Sequence, residues 1–119
     1  MREIKFRAWD GELKEMLDWD KFFNLDIAQV FESKGSWGVY PMQYTGLKDK
    51  NGVEIYEGDI VETVYNGEVF AGVVVYDLSE VDFKVTDGKE KYGRNFQYLT
   101  GNDENEVLGN IYENPELAK

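Results

Sequence analysis

Three acidic residues that lie close together in the sequence, Glu57, Asp59 and Glu62, are the side chains best suited to chemistry. Clustered carboxylates supply the oxygen ligands that Mg²⁺ and Ca²⁺ prefer, and a pair of such ions supports hydrolysis. An acidic residue at a glycine turn more often accepts hydrogen bonds from the backbone N–H groups of that turn. We predict that Asp59 bonds the turn while both glutamates are solvated. A carboxylate-only metal site, serving a metal-dependent hydrolase, is kept as an alternative.

Two further acidic segments have the composition of cation-binding loops. Asp49-Lys50-Asn51-Gly52 begins like an EF-hand loop, which needs glycine at its sixth position and glutamate at its twelfth. Counted from Asp49, glycine comes fourth and the twelfth residue is Ile60, so the segment predicts a hairpin turn instead. The acid-rich residues 102–106 predict a solvated loop.

The chain has no histidine and no cysteine. It therefore lacks the usual general base near neutral pH, the centre of a Ser-His-Asp triad, and any thiolate nucleophile or metal ligand. No glycine pattern matches a phosphate-binding loop. We predict a protein that is not an enzyme, with no catalytic residue and no cofactor, in a reducing compartment.

The net charge of −11 is unevenly distributed along the chain. Residues 1–40 carry eight acidic and six basic side chains, net −2, whereas residues 41–119 carry sixteen and seven, net −9. Affinity for duplex DNA comes from Lys and Arg at the phosphates, so this balance disfavours direct nucleic-acid binding. Carboxylates on a rigid β surface are able to imitate phosphates, which makes an acidic DNA-mimic decoy of a host DNA-binding protein an alternative function.

Aromatic residues are abundant, with seven Phe, eight Tyr and three Trp in 119 residues. Most are predicted to fill the core, where each ring removes about 150–250 Å² from water. The number exceeds what a core of this size needs, so the surplus predicts a surface for self-association. The leading hypothesis is a non-enzymatic protein-binding or self-assembling module that forms a homo-oligomer. The aromatic residues considered for stacking or assembly are Trp9, Trp19, Trp37, Tyr40, Tyr44, Tyr56 and Tyr65.

The elements that must position these residues begin with a hairpin at the N-terminus. Apolar and polar residues alternate over residues 4–8, which predicts a strand with one buried face. Asp10-Gly11 predicts a turn, and residues 13–17 predict the returning strand.

Residues 20–34 fit either a short helix or a strand. Asp20 is a candidate N-cap, and four apolar residues recur at helical spacing, namely Phe23, Ile27, Val30 and Phe31. The pairs Phe22-Phe23 and Val30-Phe31 also suit a strand. We favour the helix, and we expect Pro41 to end the strand at residues 37–40 or to place it at an edge.

The clearest hairpin joins residues 59–65 to residues 68–76, because Asn66-Gly67 suits the positive φ angles of a type I′ turn. A two-residue loop predicts that Val64 faces Val69, Thr63 faces Phe70, Ile60 faces Val73 and Val61 faces Gly72. The glycine of the last pair predicts a bend or a bulge there.

The remaining segments predict short strands at residues 81–85, 92–99 and 107–112, and a helix start with Asn114 as N-cap and Pro115 at N1. The fold class is mainly β, either β-rich throughout or α+β with one short helix. We predict an N-terminal β-hairpin region packed on a C-terminal small SH3-like bent barrel. Residues 1–119 form one domain, with subdomains at residues 1–57 and 58–119.

Three blocks carry a family resemblance: REIKFRAWD at residues 2–10, MQYTGLKDKNGVEIYEGDIV at 42–61 and VLGNIYENPEL at 107–117. With these motifs the chain resembles the YopX family of phage and prophage proteins of Gram-positive bacteria. The resemblance implies a mostly β fold, a phage or prophage accessory protein in the cytoplasm of a bacterial host, and an unidentified host or phage protein as partner. It implies no catalytic residue. The charged N-terminus and the lack of a long apolar run predict neither a signal peptide nor a membrane span.

Overall fold

The computed structural model describes residues 4–33, 35, 38–65, 67–86, 96–99 and 104–118. The chain divides into two compact units, Met1–Tyr44 and Thr45–Lys119, and the division falls within a strand. The first unit holds β1 (Phe6–Asp10), β2 (Glu15–Leu17), α1 (Trp19–Phe23), α2 (Ile27–Ser33) and the start of β3 (Val39–Lys48). The second unit holds the end of β3, β4 (Glu54–Tyr56), β5 (Asp59–Tyr65), β6 (Glu68–Asp77), β7 (Asp82–Thr86), β8 (Phe96–Tyr98), β9 (Glu106–Asn110) and a 3₁₀ helix (Pro115–Ala118).

In the first unit, β1 lies between β2 and β3 in an antiparallel sheet. The β1–β2 hairpin confirms the prediction, and its turn is held by the carboxylate of Asp10, which accepts the N–H groups of Glu12 and Leu13 at 3.0 and 3.1 Å. The helices cover this sheet with a small apolar core, whose buried members are Ala8, Leu17, Phe22 and Val30. Burial of each large apolar side chain is worth about 1.5–3 kcal/mol.

The predicted helix at residues 20–34 is confirmed, but it is split in two and begins earlier. The N-cap is Asp18, whose carboxylate accepts the N–H of Lys21 at 3.0 Å, so the prediction of Asp20 as N-cap is wrong. Asn24 ends α1, and its side-chain amide donates to the carbonyl of Asp20 at 3.0 Å. This local bond gives the backbone an alternative to continuing the helix.

The strand β3 continues through Pro41, so the first of the two predicted alternatives, that proline ends the strand, is wrong, while its placement at an edge stays a prediction. The N–H of Tyr44 donates to the carbonyl of Lys5 at 3.0 Å. Since alternate residues of an antiparallel strand direct their N–H groups to the same side, Met42 and Tyr40 also face β1. The nitrogen of Pro41 points the other way, so its missing N–H removes no bond to β1.

The second unit contains a five-stranded antiparallel sheet in the order β8-β7-β6-β5-β9. The β5–β6 hairpin has the predicted register at all four pairs, from Val64 opposite Val69 to Val61 opposite Gly72. Gly67 has a φ of 79°, as the turn requires, while Asn66 lies outside the described residues. The sheet curls into a half-barrel, which confirms the mainly β fold with a small bent barrel.

The irregularity predicted at Val61, opposite Gly72, is found on the other edge of β5, where β5 pairs with β9 and not with β6. The β5–β6 ladder is regular at Val61, whereas the β5–β9 register shifts between Ile60 and Val61. Leu108 is the extra residue of β9 at this bulge, and its side chain is 42% exposed. A bulge of this kind increases local bending.

The concave side of the half-barrel is closed by a core of six buried residues: Ile55, Val61, Val74, Phe83, Val85 and Leu99. The strand predicted at residues 81–85 is confirmed from Asp82 onward, and Phe83 and Val85 enter this core. Val81 is instead 73% exposed in the turn before β7, with a φ of 54°. In the parts of the chain that the structure describes, no helix is long and apolar enough to cross a membrane.

Candidate functional site

The acidic residues first singled out lie at the turn between β4 and β5. Asp59 is 1% exposed, and its Oδ2 accepts the N–H of Tyr56 at 2.8 Å, as predicted for a turn residue. Gly58 has a φ of 84°, donates to the carbonyl of Val74 at 2.9 Å and accepts the N–H of Ile111 at 3.0 Å. Glu57 and Glu62 are partly buried. The turn thus joins β5 to β6 and to the segment after β9.

Metal binding by Glu57, Asp59 and Glu62 stays an alternative. Among the described residues, no three acidic side chains are placed so that they could hold a metal ion. We expect that Mg²⁺, Mn²⁺ and Ca²⁺ will not change the melting temperature, because the Asp59 carboxylate is already bonded to its own turn. Thermal unfolding with each ion checks this. A rise in melting temperature that Glu57→Gln abolishes and Glu68→Gln preserves would establish the alternative.

The segment that begins like a calcium loop is a hairpin turn, as predicted. The Asp49 side chain is 7% exposed, and its Oδ1 accepts the N–H groups of Asn51 and Val53 at 2.8 and 2.9 Å. Its Oδ2 accepts the N–H of Val107, on β9, at 2.9 Å. This last bond joins residues that are far apart in the sequence, and the turn motif alone does not predict it.

These three hydrogen bonds determine the charge state of Asp49. Burial by itself raises the pKa of the carboxyl, but the N–H groups of Val107, Val53 and Asn51 outweigh it and hold the pKa below its ordinary value. The ionised carboxylate is therefore a structural acceptor that links the β3–β4 turn to β9. All of its described contacts are with backbone amides.

The loop before β9 is only partly solvated, so the prediction for residues 102–106 needs correction. Asn102 and Asp103 lie outside the described residues, and Glu104 is exposed. Asn105 is buried at 2% exposure; its side-chain Nδ2 donates to the carbonyl of Leu99 at 3.1 Å, and its backbone carbonyl accepts the N–H of Lys50 at 2.9 Å. The Nδ2 bond compensates part of the cost of burying this polar side chain.

The motif after β9 is a reciprocal asparagine turn. Asn110 accepts the N–H groups of Tyr112 and Glu113 at 3.0 and 2.8 Å, and its own N–H donates to Oδ1 of Asn114 at 3.2 Å. The predicted helix start is a 3₁₀ helix at Pro115. The predicted N-cap role of Asn114 needs correction, because its side chain reaches back to β9 and not forward into the helix.

A buried lysine on β7 forms a charged cluster in the second unit. Lys84 is 6% exposed, and its Nζ lies 2.7 Å from Oδ2 of Asp77 and 2.5 Å from Oε1 of Glu80. The hydroxyl of Tyr98 donates to Oε2 of Glu80 at 2.8 Å, and Nζ lies 5.3 Å from the Tyr98 ring centre. The sequence does not indicate this cluster, because Lys84 lies between two apolar residues of a strand, where a lysine is usually exposed.

The hydrogen bonds of this cluster disfavour a nucleophilic role for Lys84. Hydrogen bonds from Lys84 to Asp77 and then to Glu80 raise the pKa of the ammonium group above its ordinary value. The pKa of Asp77 is lowered by Lys84 and then by the Ser79 hydroxyl, and that of Glu80 by Lys84 and then by Tyr98. A nucleophilic lysine needs a lowered pKa instead. The bonds of Lys84 to Asp77 and Glu80, and that of Tyr98 to Glu80, connect the β6–β7 turn to β7 and β8.

We expect Lys84→Met to lower the melting temperature at neutral pH by several degrees and to weaken its dependence on acid. Because the pKa values of Asp77 and Glu80 are lowered by folding, their contribution is complete above the ordinary carboxyl pKa and is lost as the pH falls from about 5. The raised pKa of Lys84 means that its contribution persists until the pH rises above the ordinary lysine value. Thermal unfolding from pH 7 to pH 3 checks this, and identical acid profiles of variant and wild type would contradict it.

The seven aromatic residues considered for stacking divide between core and surface. Trp9, Tyr44 and Tyr56 are buried, in agreement with a structural role. Tyr40 is 37% exposed and Trp19 is partly exposed. Trp37 and the side chain of Tyr65 lie outside the described residues.

A connected group of aromatic rings lies instead on α1, α2 and β1 of the first unit. Its residues, called the aromatic face below, are Phe6, Trp19, Phe23 and Phe31. Phe23 is 62% exposed, Phe31 42% and Leu25 40%. The predicted helical stripe placed Phe23 and Phe31 on the same face as Val30. The break at Asn24 changes the helical phase, so Phe22 and Val30 enter the core while the other two rings face outward.

The chain is similar over nearly its whole length to proteins of one family. A sequence model of the YopX family, described as YopX protein, matches residues 5–119. Protein EF1440 from Enterococcus faecalis is similar in structure, with a TM-score of 0.59, 26% identity and complete coverage of both chains. Protein yopX from Bacillus subtilis is similar with a TM-score of 0.54 and 23% identity, covering 100% of this chain and 98% of its own. None of the curated proteins compared matches the chain.

Proposed function

The chain belongs to the YopX family, and we propose that it acts as a non-enzymatic protein-binding module that assembles with copies of itself. The observation that carries this proposal is the contrast between its polar and its apolar side chains. Asp49 and Asp59 are used in backbone hydrogen bonds, and Lys84 is held by two carboxylates. Exposed rings on the first unit are available to contact another protein.

Removal of apolar surface from water drives association, whereas a buried carboxylate whose hydrogen bonds are already made offers little to a substrate. A single exposed apolar residue is ordinary, but a contiguous group of aromatic residues usually marks an interaction site. Aromatic side chains are also enriched at the energetically important centres of protein interfaces.

Light scattering coupled to size-exclusion chromatography tests self-assembly directly. We expect a mass above 13.8 kDa that increases with protein concentration. A monomer that persists at high micromolar concentration would refute the assembly part of the proposal.

A second candidate function is supported by the charge of the second unit. Residues 41–44 hold no charged side chain, so residues 45–119 carry all of the sixteen acidic and seven basic side chains counted above. The second unit therefore has a net charge of −9. We propose as the alternative a decoy that occupies the basic face of a host DNA-binding protein. Its complexes should weaken as salt rises, because the attraction between exposed charges is screened. Partners captured from host lysate that lack a basic DNA-binding face would exclude it.

The origin and compartment of the protein belong to the same proposal. The family resemblance supports a phage or prophage gene, and the absence of cysteine is compatible with a reducing host cytoplasm. Fractionation of host cells that express a tagged full-length protein tests the compartment, with recovery outside the cytoplasmic fraction as the contrary result.

A further inference from the structure

We propose that two side chains, Asp49 and Asn114, close the free edge of β9, so that no further strand is able to pair with it. This strand is the last in the order β8-β7-β6-β5-β9, and in the part of the chain that the structure describes it pairs only with β5. An unpaired edge offers a row of N–H and C=O groups to the strands of other molecules. The free edge of β9 is therefore a place where a strand of a second copy would add unless it is protected.

The hydrogen bonds show which backbone groups of β9 point away from β5. Opposite residues of an antiparallel pair exchange either both hydrogen bonds or neither, and these two kinds of pair alternate along the strands. The N–H of Val107 donates to Asp49 and that of Asn110 donates to Asn114, so neither N–H is used in the pairing with β5. The bulge between Val107 and Asn110 explains why they are three residues apart and not two. Both residues thus present their N–H groups on the free edge.

Each of these two outward N–H groups already has a side-chain acceptor. Oδ2 of Asp49 accepts the N–H of Val107 at 2.9 Å, and Oδ1 of Asn114 accepts the N–H of Asn110 at 3.2 Å. Asp49 comes from the β3–β4 turn and Asn114 from the turn after β9, so the two acceptors approach opposite ends of the strand. They occupy the positions that the carbonyl groups of an added strand would need. A side-chain acceptor ends the ladder, because it brings no further strand with it.

Carbonyl groups on this edge are also used. The N–H of Lys50 donates to the carbonyl of Asn105 at 2.9 Å, and the N–H of Asn114 donates to the carbonyl of Asn110 at 2.8 Å. Nζ of Lys50 lies 3.8 Å from Oε1 of Glu106, which places charge at the edge. Charged side chains and bulges are common protections of edge strands. Two turns therefore cover the two ends of β9, with the bulge between them.

Both side chains bond the strand in addition to, or in place of, a closer partner. Oδ1 of Asp49 alone serves the N–H groups of its own turn, whereas Oδ2 reaches a residue 58 positions away. Asn114 directs its side chain back to β9 and not forward into the 3₁₀ helix that follows it. Closing the turns alone would require neither bond. The inference goes beyond the self-assembly proposed above, and it requires that any such assembly use a surface other than this edge.

Sedimentation velocity over a range of protein concentrations tests the inference on the full-length protein, well below the melting temperature of each variant. Asp49→Ala/Asn114→Ala, called the double variant, frees both outward N–H groups. Lys84→Met is the control for lost stability, because it alters the β6–β7 turn and not β9. Glu68→Ala is the control for charge, because it also removes one negative charge. We expect the double variant to associate at protein concentrations at least about tenfold lower than the wild type, and both controls to match the wild type.

A single introduced cysteine locates the new contact, because the chain has no cysteine of its own. Leu108 is 42% exposed on β9, and Leu78 is 82% exposed in the β6–β7 turn. Two β9 strands that pair side by side bring their Leu108 positions close enough for a disulfide. After mild oxidation, Leu108→Cys in the double variant should therefore give linked dimers. Leu78→Cys in the double variant and Leu108→Cys in the wild type should give far fewer.

The outcomes separate this inference from the proposed function, on which the mass of the wild type alone reports. A double variant that is folded by circular dichroism but associates no more strongly than Glu68→Ala would refute the closed edge. Equal association of Lys84→Met, or crosslinking through Leu78→Cys as strong as through Leu108→Cys, would also overturn it. If the double variant does not fold, Asn114→Ala alone frees one N–H at a smaller cost in stability, and the same measurements on it decide.

Discussion

Asp49→Ala is expected to lower the free energy of unfolding by about 3 kcal/mol, since it removes the acceptor of three backbone hydrogen bonds. The N–H groups of Asn51 and Val53 are at the surface of the turn and are able to reach water, whereas that of Val107 loses its partner at the junction with β9. In a domain of this size the loss corresponds to a decrease of roughly 10 °C in melting temperature.

The pH dependence of this effect has a definite sign. Because folding lowers the pKa of Asp49, its contribution is complete above the ordinary carboxyl pKa and decreases as the pH falls towards the folded value. The difference between the wild type and Asp49→Ala should therefore be largest near neutral pH and shrink in acid.

Urea unfolding at neutral and acidic pH checks both expectations. Glu68→Ala is the control, because it removes the same charge from an exposed position next to a hairpin turn. It should change stability by no more than about 0.5 kcal/mol. If Asp49→Ala lowers the free energy of unfolding by no more than this control does, the hydrogen bond between the turn and β9 contributes little to stability.

Gly109→Ala is expected to destabilise the protein by about 2 kcal/mol, through a clash in the asparagine turn. A Cβ added at Gly109 would lie 2.7 Å from Cγ of Asn114 and even closer to its Oδ1. The short Asn114 side chain is unable to move away while it accepts the N–H of Asn110. The glycine is therefore required by the close approach of a neighbouring side chain and not by an unusual φ angle.

A double-mutant cycle isolates this clash. Asn114→Ala alone should cost about 1 kcal/mol for the lost hydrogen bond, and it should remove most of the additional cost of Gly109→Ala because Oδ1 and Cγ are gone. The two substitutions should then be non-additive by on the order of 1 kcal/mol. If the two changes in the free energy of unfolding, measured by chemical denaturation, are strictly additive, Gly109 is needed for another reason.

Local parts of the fold were predictable from neighbouring residues. The β5–β6 register follows from the short Asn66-Gly67 loop, because a two-residue connection determines which residues face each other. The role of Asp59 follows in the same way, since its partner Tyr56 lies only three residues earlier. In both examples the residues that interact are close together in the sequence.

Other features depend on residues that the sequence separates widely. The second carboxylate oxygen of Asp49 is satisfied by Val107, which no property of the turn indicates. Lys84 is buried because Tyr98 lies opposite it on β8 and because the β6–β7 turn places two carboxylates beside it. Pro41 is tolerated within β3 because its nitrogen faces away from β1, a direction that depends on the register.

The sequence by itself determined the mainly β class, the positions of the main turns, the family and the uneven charge. These properties depend on residue type and short spacing, which the chain carries directly. Only the tertiary structure decided which acids are buried as acceptors and which rings remain on the surface. The aromatic face shows the physical reason: α1 packs with Phe22 in the core, so the adjacent Phe23 faces outward. A shift of one residue is small in the sequence, but it separates a core side chain from a surface side chain.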